Sequence, residues 1–474
     1  MNEFDVVIGL EVHVQLKTKS KIFCSCSTEF ESPPNTNICP ICCGYPGVLP
    51  VLNKKALELA IRVAIALNCN INREIYFERK NYFYPDLPKN YQISQYKMPI
   101  GFDGFLELLS GKAIKIKRVH LEEDAGKLIH KENYSLVDFN RTGIPLLEIV
   151  SEPVISSPYE ASEYLNYLKL TLQYIDASDC DMEKGFLRCD ANISLKPKDA
   201  TKLGTKVEIK NMNTFRGVVD ALEYEIKRQE SLLMNKKEII QETRLWNKDL
   251  SKTISMRTKE EAHDYRYFPE PDLPDFFITD KMLEEQKKFI VEKPQEKRKR
   301  FIEQYNLSYK EVDIMISDLW LSNFFEKAIS FYNRPKEISN WLLGPFLEKY
   351  NSLKDKDKIK ISPENFSKIV KYFCEDKLNN LTAKTVLDLC ITTNADVDDV
   401  ILKEGLSQVS LEDELIKFID EIIKENPKAI SEYLNGKKEA IMFLVGCVMK
   451  KTNKKANPKV AKELLERRIN EKSH

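Results

Sequence analysis

Val7-Ile-Gly-Leu-Glu11-Val-His13-Val-Gln15-Leu16 alternates polar and apolar residues with a period of two. In a strand this spacing sends Glu11, His13 and Gln15 to one face, and Leu10, Val12, Val14 and Leu16 to the other. The segment therefore predicts a sheet that packs on a core through one face and stays polar on its other. Three further stretches repeat the arrangement. In Val119-His120-Leu-Glu122-Glu123-Asp124, three acids follow a histidine; Leu187–Ser194 carries Arg188, Asp190 and Asn192 on its polar face; Glu208 lies between Lys206 and Lys210. Acids from separate strands that meet on one sheet face can hold Mg²⁺ through oxygen ligands and leave positions for a phosphate. Arg188, Lys206 and Lys210 would balance that phosphate's charge. Taken singly, each segment reads as a solvated face; a site requires that they converge.

Helical patterns interrupt the strands. Lys54–Leu67, Tyr159–Tyr174 and Gly217–Leu233 place apolar residues at helical spacing. From about Pro294 onward strand-like alternation ends and charged helical patterns dominate. The predicted class is α+β, with a mixed domain over 1–293, a helical domain over 294–406 and a small helical tail over 407–474, one join falling near Gly405. Ser362-Pro363-Glu364 predicts a helix start, with serine as the cap and proline at the first helical position.

The 474 residues are 42% hydrophobic and 31% charged, which supports sizeable cores and excludes wholesale disorder. Lys+Arg and Asp+Glu both number 73, so a uniformly basic nucleic-acid coat is excluded. Apolar runs such as Met442–Met449 fall short of the roughly 20 residues that a membrane span needs. Residues 1–5 have no signal-peptide character, so a cytoplasmic chain without a membrane partner is expected. Charge is nevertheless uneven. Residues 436–474 hold eleven Lys+Arg against four Glu, and Lys450, Lys451, Lys454 and Lys455 form the densest cluster. Such a patch can follow a phosphate backbone without reading sequence, so RNA contact is expected there.

Five cysteines fall between positions 24 and 43. Cys24-Ser-Cys26 and Cys39-Pro-Ile-Cys42 form two close pairs that can surround a tetrahedral Zn²⁺, with Pro40 and Gly44 supplying the tight turn. Cys43 competes for the fourth position, but the two-residue spacing favours Cys42. A closed four-thiolate site has no open coordination position and is structural. No Gly-x-x-x-x-Gly-Lys-Ser/Thr loop, Rossmann fingerprint, nucleophile elbow or protein-kinase signature set occurs, so any nucleotide must be held by sheet and metal. Two aromatic segments, Arg79–Gln92 and Asp264–Pro274, interleave tyrosines with prolines and cations; they are expected as extended, ordered loops.

Taken together and in order, Gly9-Leu-Glu-Val-His13, Arg79–Gln92, His120–Gly126, Asp138-Phe-Asn-Arg-Thr-Gly-Ile-Pro-Leu-Leu-Glu148, Leu187–Ser194 and Asp264–Leu273 closely resemble the GatB family. This family supplies the B subunit of bacterial and organellar aspartyl/glutamyl-tRNA amidotransferases, and the likeness covers essentially the whole chain. The resemblance implies a glutamine-synthetase-like cradle with a curved antiparallel sheet, followed by helical domains ending in a YqeY-type tail. It implies as partners a glutaminase (amidase) subunit, a small bracing subunit and a misacylated tRNA, with ATP as substrate and Mg²⁺ as cofactor. The side-chain carboxylate of Glu-tRNA(Gln) or Asp-tRNA(Asn) would be phosphorylated, then amidated by ammonia channelled from the amidase. Carried over by position, the resemblance places the metal and kinase site on Glu11, His13, Glu123, Asp190 and Glu208. It also makes Glu123 a gate to the ammonia route, with Lys80 and Lys89 along the way, and likens the four cysteines to a zinc site found in some members. Strand phase disagrees at one point: Glu122, not Glu123, shares a face with His120. The competing reading is a zinc-ribbon protein that only holds tRNA. The two part on whether the acids converge.

Overall fold

The computed structural model describes residues 3–198, 200–258, 265–353, 359–404, 412–437, 439–452, 456 and 458–471. These fall into two compact units, Met1–Lys297 and Arg298–His474. The first is built on a nine-stranded sheet. Its strands in chain order are β1 (Phe4–Gln15), β2 (Asn70–Ile71), β3 (Gly101–Glu107), β4 (Ala113–Glu123), β5 (Pro145–Ser151), β6 (Leu187–Pro197), β7 (Val207–Lys210), β8 (Glu242–Asn247) and β9 (Lys252–Thr258). Their spatial order is β9-β8-β7-β6-β1-β5-β4-β3-β2, which puts β1 at the centre. Neighbours run antiparallel except β7 and β8, which are parallel. The expected antiparallel sheet is thus a mixed one. The reason lies in the connection: helix α3 (Phe215–Met234) carries the chain back to the starting end of the sheet, as a parallel pair requires.

Helices α1 (Lys54–Ala66), α2 (Pro158–Tyr174) and α3 share one core with the sheet. Leu10, Val12 and Val14 of β1, Leu147 and Ile149 of β5 and Ala191 and Ile193 of β6 are buried with Leu59 and Ile61 of α1, Leu165 of α2 and Leu222 of α3. The period-two pattern read from Val7–Leu16 is therefore the pattern of burial. Ser157 caps α2, with Pro158 at its first position, and Thr214 caps α3. A register shift between Val150 and Ser151 irregularly pairs β5 with β4. Beyond it, Val119 and Leu121 join the core, while His120 lies opposite Glu148.

The two aromatic segments are loops over 82–90 and 270–275, as expected of them, but short stretches beside those loops pair. Glu78–Asn81, Tyr91–Ser94 and Phe268–Pro269 form a small three-stranded sheet. Arg79 fixes it, since Nε and Nη2 each donate to the Glu270 carboxylate at 2.8 Å.

The second unit is helical. One apolar cluster gathers Phe301, Phe325, Phe346 and Phe366; another gathers Leu415, Ile419, Leu444 and Leu465. Ser362 caps Pro363–Cys374 by accepting from the Asn365 amide at 3.1 Å. Gly405 lies outside the described residues. At the start of Tyr309–Ile316, Ser308 and Glu311 form a reciprocal capping box, and Lys336 adds an ion pair at 2.7 Å. Burial would raise the Glu311 carboxyl, but Lys336 and Ser308 hold it down to about 2. Stability from this depressed value is complete above the ordinary 4.5 and is lost as pH falls towards 2. Glu311→Gln is expected to cost about 1 kcal/mol near neutral pH. Urea midpoints of variant and parent should converge as pH drops through that window.

Candidate functional site

The register aligns Arg188, His13, Glu148 and His120 directly opposite one another across β6, β1, β5 and β4. Asp190 stands opposite Glu11 in the next row. His13 Nε2 lies 3.6 Å from both the Glu122 and Glu148 carboxylates and 3.9 Å from that of Glu11. His120 Nε2 lies 3.1 Å from Glu148 and 3.6 Å from Glu122. Two donor groups result, Glu11–His13–Glu148 and His120–Glu122–Glu148, whose ligand atoms lie within 4.8 Å of one another. Glu148 belongs to both. His120, Glu122 and Glu148 are buried, whereas Glu11 and His13 are half-buried, so the cluster opens along β1.

The crowding of like charges shows in the titrations. Burial and the neighbouring Glu148 raise the Glu11 carboxyl. Burial would also raise Glu148, yet His120 and His13 hold it well below the usual carboxylate range. Glu122 is lowered against burial by the same two imidazoles. In turn the imidazoles are raised against burial: His120 is pushed up to about 9 by Glu148 and Glu122, and His13 by Glu148, Glu122 and Glu11. A divalent cation among these acids would balance the charge that draws the two imidazoles towards their protonated forms. Glu11, Glu122 and Glu148 supply the hard oxygen donors that suit such an ion, and the donor chemistry fits.

Of the residues expected at this site, Glu11 and His13 belong to these donor groups. Glu123 does not. It has the opposite strand phase, and its carboxylate accepts from the Ile93 amide at 2.9 Å and pairs with Lys89. It lines a separate cavity of about 220 Å³ together with Lys21, Cys42, Lys89 and Gly143. Asp190 and Glu208 stand beside the donor groups rather than within them, because Lys210 bridges the two carboxylates, 3.2 Å from Glu208. Thr243 Oγ1 also donates to Glu208 at 2.7 Å. Lys80 points its ammonium at Tyr265, 4.9 Å from the ring centroid. Burial would lower the Lys80 pKa, but Glu122, Tyr267 and Glu148 outweigh it and raise the value.

Glu148 is not among the residues expected at the site, although it closes the Asp138–Glu148 segment. The available signal was a lone acid inside the apolar run Pro145-Leu-Leu-Glu148-Ile-Val, which only a buried partner explains. Arg118 Nη2, 3.6 Å from Glu148, was missed as well.

The sulfurs of Cys24, Cys26, Cys39 and Cys42 lie within 4.8 Å of one another, with Cys42 rather than Cys43 in the fourth place. The Cys39 amide donates to Cys42 Sγ at 3.2 Å. Hydrogen bonding from Cys24 is the main cause that lowers the Cys42 thiol to about 4, while burial pushes Cys26 up to about 11. Four soft donors so close fit a tetrahedral metal such as zinc. In the basic tail, Lys451 is committed to Glu421 and Glu425 at 2.8 and 2.7 Å, Lys450 is exposed, and Lys454 and Lys455 lie outside the described residues. Among the described residues no helix is long and apolar enough to cross a membrane.

Residues 6–284 match the family model described as the GatB/GatE catalytic domain, and residues 323–469 match one described as the GatB domain. The chain belongs to the GatB family. Among its GatB relatives, a Thermoanaerobacter pseudethanolicus protein is 49% identical over 98% of this chain and 99% of its own length. Proteins from Carboxydothermus hydrogenoformans (48% identical, covering 98% of each chain) and Clostridium beijerinckii (49% identical, covering 99% of each chain) are similar throughout. All three are named as the B subunit of an aspartyl/glutamyl-tRNA(Asn/Gln) amidotransferase.

Proposed function

We propose that this GatB-family chain is the component of a tRNA-dependent amidotransferase that activates the side-chain carboxylate of Glu-tRNA(Gln) or Asp-tRNA(Asn) for amidation. It works with partner subunits, an amidase that releases ammonia from glutamine among them, and its substrates are misacylated tRNA and ATP. The observation that carries this reading is the meeting of Glu11, His13, Glu122, Glu148 and His120 on one sheet face. A protein that only held tRNA would have no use for three acids pressed together there, since each repels a phosphate backbone.

In this reading the nine-stranded sheet is a nucleotide cradle of the glutamine-synthetase kind. Glu11, Glu122 and Glu148 would hold Mg²⁺, which supplies electrostatic stabilisation of the phosphates. Asp190 and Glu208 keep Lys210 beside Glu11, where its ammonium can turn from them to an incoming phosphate. Arg118, beside Glu148, adds a second cation at the same face. An oxygen of the aminoacyl carboxylate attacks the γ-phosphorus and ADP leaves. Ammonia then attacks the acyl carbon, loses a proton and expels phosphate. Burial keeps water away from the acyl phosphate, whose hydrolysis would waste ATP. The Lys89–Glu123 cavity, together with Lys80, forms the ammonia route, and the C-terminal helices from Glu412 onward contact tRNA through exposed lysines such as Lys450.

One isotope experiment tests the reaction. With ¹⁸O in the side-chain carboxylate of Glu-tRNA(Gln), the assembled enzyme is expected to move one labelled oxygen into inorganic phosphate for each amide formed. Amide formation with unlabelled phosphate would refute the acyl-phosphate route.

A further inference from the structure

Lys21 is a fully buried lysine. Its ammonium contacts Cys42 Sγ at 3.6 Å and the Phe139 carbonyl oxygen at 3.2 Å, and among the described residues no carboxylate pairs with it. A buried ammonium without a counter-charge is costly. Four thiolates around one Zn²⁺ carry a net double negative charge, and at this half-buried site, with Cys42 fully inside, water balances it only in part. Each solves the other's problem. Lys21 also sits on the wall that the cysteine knuckle shares with the Lys89–Glu123 cavity. A Cβ added to Gly143, behind that wall, would touch Lys21 Cδ at 3.5 Å, Cys42 Cβ at 3.6 Å and Glu123 Oε2 at 3.9 Å. On the knuckle itself Gly44 adopts a φ of +71°, and a Cβ there would run into Lys89 Cγ. The turn that follows Cys42 therefore lies directly against the stem of Lys89.

We propose that Lys21 is the built-in counter-cation of the four-cysteine metal site, and that the loaded site fixes Lys89 opposite Glu123 through the Gly44 turn. Lys21 is thus a positioning residue, acting on the cavity through the knuckle. Neither half depends on what the acids of the sheet face hold.

The test uses the full chain, stripped of metal and reloaded with zinc alone. Competition with a chromophoric chelator is expected to show Lys21→Met losing zinc affinity by about 10–100-fold, with Lys21→Arg close to the parent. Parent-like affinity in Lys21→Met would overturn the counter-cation role, as would a parent chain that takes up no zinc. Should Lys21→Met fail to fold, Lys21→Gln takes its place in the same titration, and the coupling to Lys89 is read on the parent chain by amide hydrogen exchange with and without zinc. Removing zinc is expected to speed exchange in peptides covering 39–48 and also in those covering 88–94, where the Ile93 amide is bound to Glu123. Peptides over 415–425, in the separate helical unit, should not change. Faster exchange at 39–48 with none at 88–94 would overturn the coupling to Lys89.

Discussion

Glu148→Gln is expected to lower the tRNA-dependent ATP turnover of the assembled enzyme by about 10²–10³-fold, the usual cost of removing one preorganised electrostatic group from a reacting centre. Glu148 is the carboxylate common to both donor groups, and it faces His13, His120 and Arg118 at 3.6, 3.1 and 3.6 Å. Glutamine keeps its volume and removes its charge, so the sheet should fold as before, which near-UV circular dichroism would verify. Glu123→Gln is the informative partner. It lies outside the donor groups, so ATP cleavage should persist while the amide made per ATP consumed falls. If Glu123→Gln abolished ATP cleavage and Glu148→Gln did not, the assignment of the kinase acids to the sheet face would be wrong.

Glu225→Ala is expected to destabilise the first unit by about 3–5 kcal/mol, because it strands charged partners in the interior. Glu225 on α3 is fully buried and accepts from Gln229 at 2.9 Å, from Thr253 at 3.0 Å and from Arg228 Nε at 3.0 Å, with Arg244 Nε at 3.6 Å. These partners tie the helix to β8 and β9. Since β8 also presents Thr243 to Glu208, loosening this edge should disturb Lys210 and its two acids. The measurement is the urea transition of the first unit. A change under about 1 kcal/mol, the range of an exposed ion pair, would mean that the network contributes little.

Much of this was legible in the sequence because side-chain direction in a strand is a matter of counting. The burial of Leu10, Val12 and Val14 and the shared face of Glu11 and His13 follow from period two alone. The three long helices of the first unit were likewise readable from their apolar spacing, and the cysteine set from its own. Partnership across strands was not readable. Nothing local says that Glu148 faces His13 and His120, because that depends on the β1–β5–β4 register, which long connections bring about. The pairing of the two aromatic segments was hidden for the same reason, since nearly two hundred positions separate Arg79 from Glu270. Where family likeness and strand phase disagreed over Glu122 and Glu123, phase was the better guide to the sheet face. The likeness pointed to Glu123's other neighbour, Lys89.

The irregular pairing at Val150 and Ser151 sets which way every later side chain of β4 turns. Glu122 and Glu123 are consecutive, yet one joins the cluster of acids and imidazoles on the sheet face and the other lines the cavity beside the knuckle. A single peptide plane is the partition between them. Forced into regular pairing, the extra residue between Ile116 and Arg118 would reverse the phase of all that follows, and Glu122 and Glu123 would trade faces.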